Sequence, residues 1–287
     1  MSAIIDINQS NKRLISPKYV TNNIGSWKQQ GTIEFFVDFE TSNGSLSDIK
    51  RLPTANTETI VCTIGVGYID PSTEKWVHKD FSVNRLTFAE EVKICTKFAK
   101  FIRNKAKQYK VKTPNCIHWS SAEEIIWSDV MDRHESISDE WKSWTWNWLD
   151  LLVVFKEEPI VINGCMNFGL KSIAAAMRKH GFIKTGWNKS SSCTDGRSAM
   201  VAAYKAHNLA CETNVSMKAI PAMQQIIEYN KVDVRVLYEI LSYLRQNHLS
   251  KKEYISSRLR TNKRSQDSND EKISKKRKIS ILEAMNS

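Results

Sequence analysis

Residues 33–40 read IEFFVDFE, a nearly continuous apolar and aromatic run of strand type that carries two carboxylates, Asp38 and Glu40. Residues two apart on a strand share a face, so both acids point the same way. Phe36, Val37 and Phe39 make their surroundings apolar. Two acids on one face of a core strand repel each other unless a proton or a cation sits between them. A hard divalent cation, Mg²⁺ or Mn²⁺, is the economical solution, because such ions prefer carboxylate oxygen. The competing reading is coincidence, since a chain with 31 acidic residues is expected to contain such a spacing by chance.

Two further strands follow, TIVCTIGVGYID and WVHKDFSV, parted by the turn signal Asp70-Pro71-Ser72. Together the three predict an antiparallel meander. Helical spacing then runs through Phe88, Val92, Cys95, Phe98 and Ile102. After Pro114 comes a short strand, NCIHW, and a helix, SSAEEIIWSDVM, in which Ser120 and Glu123 have the spacing of a capping box. LDLLVVF reads as a strand or a buried turn of helix. Further helices are expected at NFGLKSIAAAMRKHGF, ended by Gly181, at GRSAMVAAYKAHN, and from Pro221 through YEILSYLRQ. Strands followed by helix–strand alternation predict an α/β domain with a mixed sheet over residues 31–250. It lies between a polar N-terminal arm, 1–30, and a basic tail, 251–287, expected to be disordered.

The longest apolar run, Ile60–Ile69, falls short of the ~20 residues that span a bilayer. MSAIIDINQSNKRL has no apolar core after a basic start and does not read as a secretory signal. The six cysteines are scattered without a C-x-x-C pair, which argues against zinc ribbons and a disulfide framework. An intracellular protein, nuclear or cytoplasmic, is the expectation. The net charge is +11, and residues 251–287 hold 11 basic and 5 acidic residues. A basic balance favours polyanionic partners, because neutralised phosphates release counterions. Lys275-Lys276-Arg277-Lys278 reads as a nuclear import signal, a nonspecific phosphate grip or a solubilising run.

Tyr229 and Asp233 stand at i and i+4 within the late helix, and therefore on one face. They read as a metal-ligating Asp with a phenol that orients water, or as a core Tyr anchored on an acid. Glu123, at the start of a helix after a strand, is a candidate third acid; Glu124 and Asp150 compete with it. Asp150 also reads as the buried partner of a base such as Lys171. Trp141, Trp144, Trp146 and Trp148 read as a base-stacking platform, core packing or a partner interface. His118, His134 and His180 have no ligand spacing with cysteine and read as structural.

In this order, D-x-E on the first strand, an acid opening a mid-chain helix and Y-x-x-x-D on a late helix resemble the three motifs of DEDDy-type 3′→5′ exonucleases. These belong to the ribonuclease H-like superfamily. The chain resembles stand-alone predicted exonucleases related to the proofreading domain of family-B DNA polymerases. IHWSSAEE occupies the place of the second motif, and LDLL followed by NFGLKSIAAAMRKHGF resembles the stretch leading to the third. The likeness covers roughly residues 33–245. It departs at the second motif, which commonly carries an Asn before an Asp, where this chain has His118-Trp119 and then Glu123. The resemblance implies a ribonuclease H-like fold and two divalent ions, Mg²⁺ or Mn²⁺, held by Asp38, Glu40, Glu123 and Asp233. It also implies water positioned by Tyr229, and nucleoside 5′-monophosphates released from single-stranded 3′ ends of DNA or RNA. A structure-specific endonuclease using the same carboxylates is the first alternative. A non-catalytic nucleic-acid-binding or scaffold module with a degenerate nuclease fold is the second.

Overall fold

A computed structural model describes residues 2–9, 13–42, 59–188, 193, 195–250, 253 and 255. The basic run at 275–278, like everything from 256 on, lies outside them. The apolar run that opens the domain becomes β2 (Glu34–Ser42), the central strand of a five-stranded mixed sheet. On one side it pairs antiparallel with β3 (Ile60–Asp70), which pairs antiparallel with β4 (Lys75–Ser82), giving the expected meander. On the other side it pairs parallel with β5 (Asn115–His118), and β5 pairs parallel with β6 (Asn147–Asp150). The strand order is β4-β3-β2-β5-β6.

Alternation along β2 divides the core between the two faces of the sheet. Phe35, Val37 and Phe39 pack on one face, where Phe39 meets Phe98 of α2 (Phe88–Gln108) with ring centroids 5.6 Å apart. Phe36 points to the other face and meets Tyr238 of the long last helix, α8 (Pro221–Asn247), at 5.5 Å. Fully burying an aromatic or branched side chain is worth about 1.5–3 kcal/mol, so this double-sided cover holds the central strand firmly. The cover is completed by α3 (Ala122–Arg133), α4 (Glu135–Lys142), α5 (Leu151–Glu157), α6 (Leu170–Lys179) and α7 (Gly196–Glu212). The sheet is thus flanked by helices, an α/β architecture. No helix of the described residues is long and apolar enough to cross a membrane.

LDLLVVF divides at its acid. Asp150 ends β6, and its Oδ1 accepts from Leu152 N at 2.8 Å to cap α5, so the apolar stretch after it is helix. Gly181 follows α6 with φ +74°, the left-handed position that lets a helix stop. The expected capping box at Ser120 does not form. The cap residue of α3 is Ser121, whose side chain makes no capping bond, and Glu123 turns instead to His118.

Two of the four tryptophans are core, and Trp146 and Trp148 are half-buried and packed against it. Trp141 and Trp144 are buried, and Trp127 packs against Trp141 and Trp146 at 5.7 and 5.2 Å. The N-terminal arm is also engaged. Ile15–Ser16 (β1) pairs antiparallel with Val161–Ile162 (β7), Trp27 is fully buried, and Arg245 of α8 donates to the Trp27 carbonyl at 2.7 Å. Its few anchors, Val20 and Trp27, stand alone among polar residues and carry no period.

Candidate functional site

The carboxyl ends of the parallel strands β2, β5 and β6 gather at one edge of the sheet, where open α/β sheets commonly bind ligands. Asp38 and Glu40 project there from β2 on the face that α8 covers. A register shift between Glu40 and Thr41 interrupts pairing with β3 just beyond them. From α8, Asp233 reaches the same point. One oxygen of each of Asp38, Glu40 and Asp233 lies within 4.8 Å of the other two. Glu40 and Asp233 are buried and Asp38 is half-buried.

Crowding and burial dominate the electrostatics. Burial, and after it the neighbouring Asp233, Glu40 and Glu123 charges, push Asp38 well above the carboxylate range. Glu40 is raised by burial and by Asp233, against an opposing pull from Lys171. Asp233 rises to about 8 through burial, although Lys171, the Trp187 indole and the Tyr229 hydroxyl all favour its charged form. The Trp187 Nε1–H donates to Asp233 Oδ1 at 3.0 Å. Such a cluster holds protons or a cation. The donor set is all carboxylate oxygen, closely spaced, which suits a hard divalent ion such as Mg²⁺ or Mn²⁺.

Tyr229 lies one helical turn before Asp233, and its hydroxyl is near enough to that carboxylate to favour the charged form. Burial and the three acids push the phenol pKa up, so it stays protonated. The Lys171 ammonium sits over the Tyr229 ring, 4.4 Å from its centroid, which places the base beside this cluster and not beside Asp150. Asp150 is occupied otherwise: the same Oδ1 that caps α5 accepts from Ser120 N at 2.8 Å.

Glu123 is buried, while Glu124 beside it is exposed. Glu123 stands outside the close triad but near enough for its charge to raise Asp38, Glu40 and Asp233. Its own pKa is raised by burial and opposed by His118. The fully buried His118 donates from Nδ1 to the Ser120 carbonyl at 2.6 Å, and the same nitrogen lies 3.2 Å from Glu123 Oε2. His118 is therefore structural in the specific sense that it orients the fourth acid.

Asn230 escaped the sequence reading. Its Nδ2 donates to Asp38 Oδ2 at 2.7 Å and to the Asp38 carbonyl at 2.9 Å. Its amide lies against Gly65, the β3 residue paired with Asp38, where a Cβ would fall 1.7 Å from Asn230 Oδ1. That glycine was the available signal, since glycine inside a strand marks close approach by another group. No family model, curated protein or solved structure matches this chain.

Proposed function

We propose that the chain is a metal-dependent 3′→5′ exonuclease of ribonuclease H-like fold, releasing nucleoside 5′-monophosphates from DNA or RNA. The observation that carries this reading is the convergence of Asp38, Glu40 and Asp233, from the first long strand and the last helix, with Tyr229 on Asp233 and Glu123 nearby. The strand order, a three-stranded antiparallel meander extended by two parallel strands, supports the fold assignment.

Asp38, Glu40 and Asp233, with Glu123 completing the set, would hold Mg²⁺ or Mn²⁺. Bound divalent ions supply charge neutralisation at a scissile phosphate, a lowered pKa for water and a stabilised leaving oxygen. Water adds to phosphorus, the P–O3′ bond breaks, and the departing oxygen takes a proton to leave a new 3′-hydroxyl. Tyr229, protonated, orients the water through its hydroxyl and does not serve as a base. Lys171 adds positive charge beside Glu40 and Asp233, where a phosphate would arrive. Asn230 and His118 fix the directions of Asp38 and Glu123.

The test is incubation of the pure protein with end-labelled single- and double-stranded DNA and RNA, in Mg²⁺, Mn²⁺ or EDTA. A metal-dependent ladder shortening from the 3′ end is expected. Internal cuts would make it an endonuclease on the same carboxylates, and retardation without cleavage would leave a binding module.

A further inference from the structure

Helix α2 carries a charged face that the carboxylate site does not use. Lys97, Lys100, Arg103 and Lys107 are all exposed, and their spacing of three, three and four positions puts them on one side of the helix. At a rise of ~1.5 Å per residue they form a rail about 15 Å long. The acids of α2, Glu90 and Glu91, both lie in its first turn, away from this rail.

The rail leads into a cavity of about 360 Å³ between the end of α2 and the segments entering β5 and β6. Arg103, Lys107, Lys110 and Lys112 line it, and Pro114 and Trp146 contribute apolar wall. Among the described residues no carboxylate lines it. The Arg103 guanidinium stacks over Trp144, 4.9 Å from the ring centroid, which fixes one cation in place.

We infer that this face of α2, with the cavity at its end, is a second binding surface for nucleic acid, gripping the phosphodiester backbone along the rail. A row of cations suits any polyanion, but the adjoining pocket with a proline and an indole in its wall suits a nucleoside and has no use for an acidic peptide. The location separates it from the carboxylates. α2 packs on the Phe39 face of the sheet, whereas Asp38 projects to the α8 face. Pro114 and Trp146 precede β5 and β6, while the carboxylate site lies past their far ends, about 10 Å along the strands. The choice of ligand rests on the nuclease reading, but the surface needs neither metal nor carboxylates. It adds affinity for strands long enough to reach beyond the acid site.

The experiment compares the full chain with a variant carrying Lys97→Gln, Lys100→Gln, Arg103→Gln and Lys107→Gln, positions whose exposure spares the core. Fluorescence anisotropy in EDTA measures binding of an oligodeoxythymidylate of about thirty nucleotides and of the trinucleotide. The variant should bind the long strand at least about tenfold more weakly, with a salt slope shallower by about 3. Trinucleotide binding, which can reach the pocket but not the length of the rail, should weaken much less. An unchanged long-strand affinity and slope, or equal losses for both lengths, would overturn the inference. So would polyglutamate of matched charge competing as well as the oligonucleotide. If the variant melts lower than the parent, the single substitutions Lys97→Glu and Lys107→Glu, each expected to weaken long-strand binding alone, decide the matter. Absence of cleavage by the parent would sink the hydrolytic reading and leave this result standing.

Discussion

Asn230 spans 192 positions to hold Asp38, donating one amide nitrogen to both its carboxylate and its backbone carbonyl. The helix residue thereby fixes the strand carboxylate and the spacing between the two elements at once. Asn230→Ala should fold but lose about 10- to 100-fold in Mn²⁺ affinity, the usual cost of removing a group that orients a metal ligand. Gly65→Ala should do as much harm by displacing Asn230 from the other side. Calorimetric titration of Mn²⁺ into both variants checks this, and parental affinity in either would reduce the contact to packing.

The raised carboxylates give the metal-free protein a definite pH dependence. Unfolded Asp and Glu titrate near pH 4, whereas folded Asp233 titrates at about 8, because it is buried. Between these values the native state binds more protons than the unfolded state, so stability falls as pH rises. The Tm in EDTA should drop by several degrees between about pH 6.5 and about pH 8, above the range in which His78, His207 and His248, lowered by burial, oppose the trend. Asp70, held at about 2 by hydrogen bonds from Ser72, titrates below this window. Mn²⁺ should abolish the decline, and Asp233→Asn should lessen it without metal, the burial of Asp38 and Glu40 keeping the remainder. A Tm in EDTA that rises across this range would refute the mutual repulsion of the cluster.

Tyr229→Phe keeps the ring under Lys171 and deletes the hydroxyl that favours the charged form of Asp233. Single-turnover cleavage should fall about 10- to 100-fold while binding changes little. Asp38→Ala should be inactive, yet melt no lower than the parent in EDTA, since it relieves crowding. Parental rates in Tyr229→Phe would make the phenol a packing residue.

Deleting residues 261–287 removes seven basic and four acidic residues. The salt dependence of nucleic-acid binding should become shallower while turnover at saturating substrate persists. An identical slope after deletion would show that this segment does not touch the nucleic acid.

The sheet and its helices were legible because their signals are periodic. IEFFVDFE reads as a strand and became β2, and the apolar repeat after Pro221 reads as a long helix and became α8. Asp38, Glu40, Tyr229 and Asp233 were legible for the same reason, since strand and helix spacing fix which side chains share a face. What the pattern could not carry was contact between elements. Nothing local distinguishes Asn230 or Trp187 from any other polar or aromatic residue, and Asp150 reads as a ligand until its hydrogen bonds to Ser120 and Leu152 are seen. The arm was opaque because isolated anchors such as Trp27 leave no repeat.

The division of the acid triad between β2 and α8 would make a bound divalent ion a reporter on whether these two elements have met. A partly folded chain with its sheet complete and α8 not yet docked has Asp38 and Glu40 together but lacks Asp233. It also lacks the amide that steadies Asp38. Such a species would bind the proposed ion weakly, so the ion would select the fully packed molecule and stabilise it by mass action. On the proposed nuclease reading, a chain in which α8 has not docked would hold no competent centre with which to cut.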